Sequence, residues 1–305
     1  MSKLLTVFGA TGNQGGSVIR TVLGHPQLSK QFRIRAITRD PSKPSGKALA
    51  DQGVEVVKAD LMDKSSLATA IKGSNAVFAV TNFWETMSKE TEVKQGRNIA
   101  EVSAELNVEH LVWSSLPNVT TLSNGALPNV EHFDGKAEID AYIRELGVPM
   151  TSFVPGFYMS NLKSAMQKGE DGSYTLAWPV PASTKFPLFS AGTDTGKFVA
   201  SILLHREQLL NANVLAASGW WSGQEIVDTF KEVTGKKAQY AEPPADVWKG
   251  FLPNEKIAQE MLENFLLVRD YKYFGANAEQ NLTSAIELLE EAPRSLKEYF
   301  ESEQW

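Results

Sequence analysis

Four glycines follow a short apolar run in MSKLLTVFGATGNQGG. Gly9, Gly12 and Gly15 have the GxxGxxG spacing, and the chemistry that suits it is the grip of a pyrophosphate. The first glycine permits a tight turn and the second lets backbone approach the anion. Gly15 lets the following helix lie close on a sheet, with its free N-terminal N–H groups and dipole facing the phosphates. Glycine capping of a plain strand-turn-helix would use the same letters. The strand before, the helix after and the repetition of this unit downstream favour a dinucleotide. A second group, Thr38-Arg39-Asp40-Pro41-Ser42-Lys43, lies at the end of the second predicted strand. A carboxylate there would take the ribose 2′-hydroxyl of NAD, whereas Arg39 and Lys43 can clamp the 2′-phosphate of NADP, with a hydroxyl from Thr38. The expected cofactor is NADP(H). Asp40 is either a ribose ligand or a cap for the next helix.

The elements that must hold these groups alternate. Short apolar strands are predicted at Leu4–Phe8, Arg33–Thr38, Val54–Lys58, Ala76–Val80, His110–Ser114 and Thr151–Val154. Helices fall between them near Gln14–Leu23, Lys43–Asp51, Ser65–Ile71, Met87–Leu106 and Phe133–Leu146. This is an α/β pattern that predicts a doubly wound parallel sheet. The third strand runs into Asp60-Leu61-Met62-Asp63, where backbone and a carboxylate can face an adenine amine, although Asp63 can equally cap the next helix. The fourth runs into Thr81-Asn82-Phe83-Trp84-Glu85, beside the pyrophosphate and nicotinamide ribose. The stretch from Leu116 to Glu131 is long for a connection and reads as a lid or binding loop. Beyond Pro155 the rhythm changes. Tyr174–Ser183 is turn-rich, Ser222-Gly-Gln-Glu225 has capping-box spacing for a helix to about Val233, and further helices are expected at Ala245–Phe251, Glu255–Val268 and Ser295–Glu303. We divide the chain into a dinucleotide-binding domain, 1–155, and a smaller lobe, 156–305, interleaved with the sheet.

Composition narrows the class. With 305 residues, 42% hydrophobic and 22% charged, the chain can bury a large core. A net charge of -6 disfavours nucleic acid as a partner. The absence of cysteine excludes disulfides, thiolate metal sites and cysteine nucleophiles. His25, His110 and His205 are too scattered to suggest a metal, and none is expected. No apolar run approaches a membrane span, and the N-terminal run is too short for a targeting core, so the expected address is the cytoplasm, with the nucleus open. Trp178, Trp220 and Trp221 read as lobe packing, and Ala285–Glu291 as a helix turn with solvated carboxylates.

Taken in order, GATGNQGGSV, VTNFWE, EVKQG, HFDGK and GVPMTS resemble the NmrA-like family, an atypical branch of the short-chain dehydrogenase/reductases, most of all its HSCARG-type NADPH-sensing members. The resemblance covers roughly the first half of the chain. It implies a Rossmann domain with a smaller C-terminal α+β lobe, NADP(H) in the cleft, and often a regulatory role through a partner protein. It assigns the cofactor to Gly9, Thr11, Gly12, Asn13, Gln14, Gly15, Arg39, Lys43, Asp60, Thr81, Asn82, Lys136, Pro155, Gly156, Phe157 and Tyr158, and the neighbouring Leu61 and Phe83 are expected to touch it as well.

Ordinary members of that superfamily use a Tyr-xxx-Lys pair, but none of the seven tyrosines here has lysine four residues on. His132-Phe-Asp-Gly-Lys136 takes the place, so imidazole replaces phenol while Lys136 keeps its implied ribose role. An ammonium nearby disfavours imidazolium, which would make His132 a poor acid at neutral pH. Ser114 or Ser115, at the tip of the fifth strand, can polarise a carbonyl or simply tie down the chain. Two functions follow. In one, NADPH orders the Leu116–Glu131 loop and alters a protein-binding surface; the missing tyrosine favours this redox-sensing reading. In the other, the protein is an NADPH-dependent reductase of a small apolar or aromatic carbonyl or enone, with His132 or a loop residue as the acid, Lys136 and Ser114 as further catalytic residues, and Phe83, Trp84, Phe157 and Tyr158 lining the pocket. The sequence leaves the protein partner, a homodimer and the substrate open.

Overall fold

The computed structural model describes residues 2–305. Seven strands, β1 (Lys3–Val7), β2 (Phe32–Thr38), β3 (Glu55–Lys58), β4 (Ala76–Ala79), β5 (His110–Ser114), β6 (Met150–Pro155) and β7 (Asn213–Ala216), form the central sheet. Their order is β7-β6-β5-β4-β1-β2-β3, and every pairing is parallel. β1, β4 and β5 are buried almost throughout, which is why they read as continuous apolar runs rather than alternating ones. The strand order reverses between β1 and β4, the place where such sheets open a crevice for ligands.

Five helices matter to that crevice: α1 (Asn13–Gly24), α2 (Lys89–Glu105), α3 (Glu131–Glu145), α4 (Ala191–Leu204) and α5 (Glu255–Tyr271). On one face of the sheet α1 and α4 pack around Ile19, Phe153 and Phe198. Ser17 ties them, its hydroxyl donating to Thr193 O at 3.0 Å and accepting from Gly196 N at 2.9 Å. The other face is covered around Trp113, Ile99 and Ile139, from β5, α2 and α3.

The predicted strands and helices of the first half are all present, with ends moved by a residue or two. The segment after residue 155 is interleaved with the sheet: β7 completes the central sheet and α4 covers it, so 191–216 packs with the first 155 residues. What remains is a lobe with two three-stranded sheets. One joins Gly219–Ser222, Lys185–Phe189 and Phe157–Tyr158, and the other joins Ala238–Ala241, Tyr174–Ala177 and Met166–Lys168. Its core is aromatic: Phe157, Trp178, Phe186 and Phe265 stack with centroids 4.4 to 6.3 Å apart. The Ser222 capping box forms as the spacing predicted, heading a helix at Gly223–Thr234. Among the described residues no helix is long and apolar enough to cross a membrane.

Candidate functional site

The glycine turn sits at the reversal point. Gly9 has φ +63, and a β-carbon there would lie 2.7 Å from Val80 Cγ1 at the end of β4. A β-carbon on Gly15 would come within 2.4 Å of Gly9 O, so α1 can press against the turn only with glycine at that position. Gly12 is the N-cap of α1 and supplies no side chain, and the first turn holds no acidic residue. The helix start could therefore accept an anion, with Thr11 and Asn13 exposed beside it. This is the cradle that a pyrophosphate requires, and the residues fit a dinucleotide.

Across the crevice, Gln14 Nε2 lies 2.5 Å from the Tyr158 hydroxyl, joining the glycine turn to the chain leaving β6. Burial pushes the Tyr158 phenol up, so it stays protonated. Arg39, after β2, is paired with Glu85, after β4. Since β1 lies between those strands, this exposed pair spans the crevice mouth. Lys43 is exposed at the N-cap of the helix Pro44–Ala50. Asp40 does not cap that helix. It closes a turn by accepting from Ser42 N at 3.0 Å and Ser42 Oγ at 2.6 Å, bonds that hold its carboxyl below the ordinary value. Asp63 is a helix cap, accepting from Ser65 N. Asp60 accepts from Met62 N at 2.8 Å, and the carbonyl of Leu61 accepts from Asn98 Nδ2.

Lys136 is buried and fully engaged. Its ammonium donates to Thr81 O at 3.0 Å, Thr81 Oγ1 at 2.8 Å and Glu92 Oε1 at 2.7 Å, and the Thr81 hydroxyl itself donates to Glu92. Three donors meet three acceptors, so holding a ribose would require releasing one of them. Asn82 is exposed at the rim, and Phe83 is buried with its ring 5.8 Å from that of His132.

His132 opens α3 and lies in a wall of aromatics, with Trp84 at 5.0 Å and Phe133 at 4.8 Å between centroids. Its Nδ1 is 2.6 Å from Glu260 Oε1, which also accepts from His132 N at 3.0 Å. Glu260, on α5, is thus the cap that α3 lacks in its own sequence. The Lys136 ammonium is thus matched to Glu92 rather than left facing the imidazole, and His132 has Glu260 as its own partner. Glu92 opens the EVKQG motif, which does not say what it binds, and Glu260 carried no sequence signal, because each partner sits on the far side of a tertiary contact.

Ser114 and Ser115 are buried at the tip of β5. Phe157 belongs to the lobe core rather than to the crevice, and Gly156 is required by Pro187 O, which a β-carbon would approach to 2.1 Å. Pro155 O accepts from the Tyr273 hydroxyl at 3.2 Å. The Leu116–Glu131 segment is not a loose lid. It contains a helical turn at Val119–Leu122, and Asp134 accepts from Val119 N, Thr120 N and Thr120 Oγ1. Glu263 fastens its other end through Asn129.

A parallel sheet reversing at a glycine turn above a bare helix start defines a Rossmann-type fold. Residues 1–300 match the family model described as the NmrA-like family, and the chain belongs to that family. It is 34% identical over 254 residues to the NmrA-like family domain-containing oxidoreductase malD of Malbranchea aurantiaca, covering 78% of this chain and 75% of that one. It is 32% identical to ptmS of Penicillium ochrochloron, of the same description, over 82% of this chain and 78% of the relative. Among solved structures, NmrA, a negative transcriptional regulator, in complex with NADP superposes with TM-score 0.82 at 18% identity over 99% of this chain and 95% of that one. Triphenylmethane reductase of Citrobacter sp. complexed with NADP(H) gives 0.75 at 20%, over 98% and 99%. NmrA is also known with NAD bound. The family model establishes an NmrA-like protein, and these solved structures share its fold.

Proposed function

We propose that the protein is an NADP(H)-dependent reductase of a small apolar or aromatic carbonyl, quinone or enone. The observation that carries this reading is the meeting, at the carboxyl ends of the central strands, of the glycine cradle with a histidine set among aromatic rings. Gly9 rests against Val80, and from Val80 the chain runs directly into Phe83 and Trp84, which contact His132. Gly9, Gly12, Gly15 and the start of α1 would hold the pyrophosphate, and Arg39 with Lys43 the 2′-phosphate. When bound, the nicotinamide supplies hydride. His132 supplies or accepts the proton, Trp84 offers a half-exposed flat surface for the substrate, and Phe83 and Phe133 limit water around the imidazole. The description of the fungal relatives as oxidoreductases supports the same reading.

In the alternative, redox-sensing reading, nucleotide would order the Leu116–Glu131 segment, but Asp134 and Glu263 already fasten it within the protein. The test is direct. Purified protein is mixed with NADPH and a panel of quinones, aldehydes and enones while nicotinamide absorbance is followed. Sustained oxidation that is lost in His132→Ala is expected. Tight NADPH binding with no turnover across the panel would return the case to the sensing reading.

A further inference from the structure

We propose that Glu260 is a positioning residue for His132: it fixes the imidazole as the Nδ1–H tautomer and so makes Nε2 the ring atom that exchanges a proton with the substrate. The proposal rests on the reductase reading and deepens it by naming the proton-bearing atom. A carboxylate only accepts, so the 2.6 Å contact from Glu260 Oε1 requires the hydrogen on Nδ1. The same oxygen accepts from His132 N, which fixes the ring relative to the helix start. Glu260 is 2% exposed, and among the described residues His132 is its only hydrogen-bond partner.

The charged groups around this pair are each occupied elsewhere. Lys256 pairs with Glu131 at 2.8 Å, Glu263 holds Asn129, and Lys136 holds Glu92 at 2.7 Å. No protein group hydrogen-bonds His132 Nε2 among the described residues. The ring is therefore tied on one side and available on the other, the arrangement that lets a carboxylate steer a histidine without itself taking the proton.

The step balances. In reduction the substrate carbon would gain the hydride that bound NADPH supplies, leaving NADP+, while the substrate oxygen gains the proton from Nε2–H of the charged ring. The ring is left neutral with Nδ1–H still on Glu260, and solvent restores the proton at Nε2. In oxidation the neutral Nε2 takes the hydroxyl proton.

The experiment uses the full chain labelled with 15N at its four histidines, read by long-range 1H–15N correlation at a pH where imidazole is neutral, with His132→Gln to assign the signal. The wild type and Glu260→Gln should show Nδ1–H at His132, because the amide oxygen accepts from the same two groups. Glu260→Leu should shift the ring towards Nε2–H. Alongside, NADPH oxidation by a quinone should fall roughly tenfold or more in kcat for Glu260→Leu, with KM for NADPH unchanged and Glu260→Gln recovering most of the rate. Turnover by a wild type that carries Nε2–H, or a Glu260→Leu tautomer like that of the wild type, overturns this proposal and leaves the reductase reading intact. Correct tautomers without any turnover overturn both. If Glu260→Leu does not fold, the wild-type tautomer together with the Glu260→Gln rate decides.

Discussion

Glu92 and Lys136 meet 2.7 Å apart in the protein interior, Glu92 on α2 and Lys136 on α3, and their bond joins both helices to the end of β4 through Thr81. Glu92 is 1% exposed, so its charge is tolerable only because the ammonium is there. Removing one partner leaves an uncompensated buried charge. Glu92→Gln should lower stability by about 3 to 5 kcal/mol in urea unfolding, while Glu92→Met with Lys136→Met should lose much less. If the single and double variants unfold together, the pair is not what joins these elements.

The same geometry separates two roles for Lys136. With all three ammonium donors engaged, Lys136→Met should weaken NADPH binding less than Arg39→Ala does, measured by fluorescence titration of folded protein. A larger loss for Lys136→Met would restore its ribose role.

Arg39 should decide between the two nicotinamide dinucleotides. Its pairing with Glu85 is exposed on both sides, and such pairs contribute little, so a doubly charged 2′-phosphate can displace the carboxylate. Arg39→Ala should weaken NADP(H) by several-fold to hundreds-fold, about 1 to 3 kcal/mol, and leave NAD(H) nearly unchanged. Equal loss for both coenzymes would place the phosphate elsewhere.

At Gly15 no side chain fits, because the nearest atoms are backbone: Gly9 O at 2.4 Å and Phe8 O at 2.7 Å from a β-carbon. Gly15→Ala should push α1 off the turn, abolish coenzyme binding in calorimetry, and destabilise the fold by about 1 to 3 kcal/mol. Wild-type affinity in that variant would remove the cradle from the argument.

A pH dependence arises at the other end of the strands, where β5 begins. Burial, reinforced by the Arg206 guanidinium, pushes His110 down from 6.5 to about 4. Thr151 Oγ1 donates to Leu209 O, so it accepts from His110 Nε2, which keeps the ring neutral with its proton on that nitrogen. As pH falls the unfolded chain takes the proton first. The stability tied to neutral His110 is complete above about pH 6.5 and is lost towards pH 4, on the order of 3 kcal/mol. Urea midpoints between pH 7 and 4 should therefore fall less steeply for His110→Gln than for the wild type, and parallel curves would contradict the assignment.

Much of the layout was legible because its signals are local. Apolar runs broken by glycine and acidic caps, with amphipathic stretches between them, are properties of ten or fifteen neighbouring residues, and they located β1 to β6 and the helices between. The Ser222-x-x-Glu225 box was found for the same reason. Phe157 was not legible in this way: it follows β6 in sequence, yet its ring packs with Trp178, Phe186 and Phe265, which lie 21 to 108 residues away.

By itself the sequence determined that a strand would run into a glycine turn, that a bare helix would follow, and that Arg39 would stand at the end of the second strand. These depend on backbone sterics and hydrogen-bond periodicity, which a short segment carries whole. Only the tertiary structure decided the electrostatics of His132 and Lys136. Glu260 is 128 residues from the histidine it binds and Glu92 is 44 from the lysine, and the strength of a buried charge pair depends on a distance and a burial that chain packing alone sets.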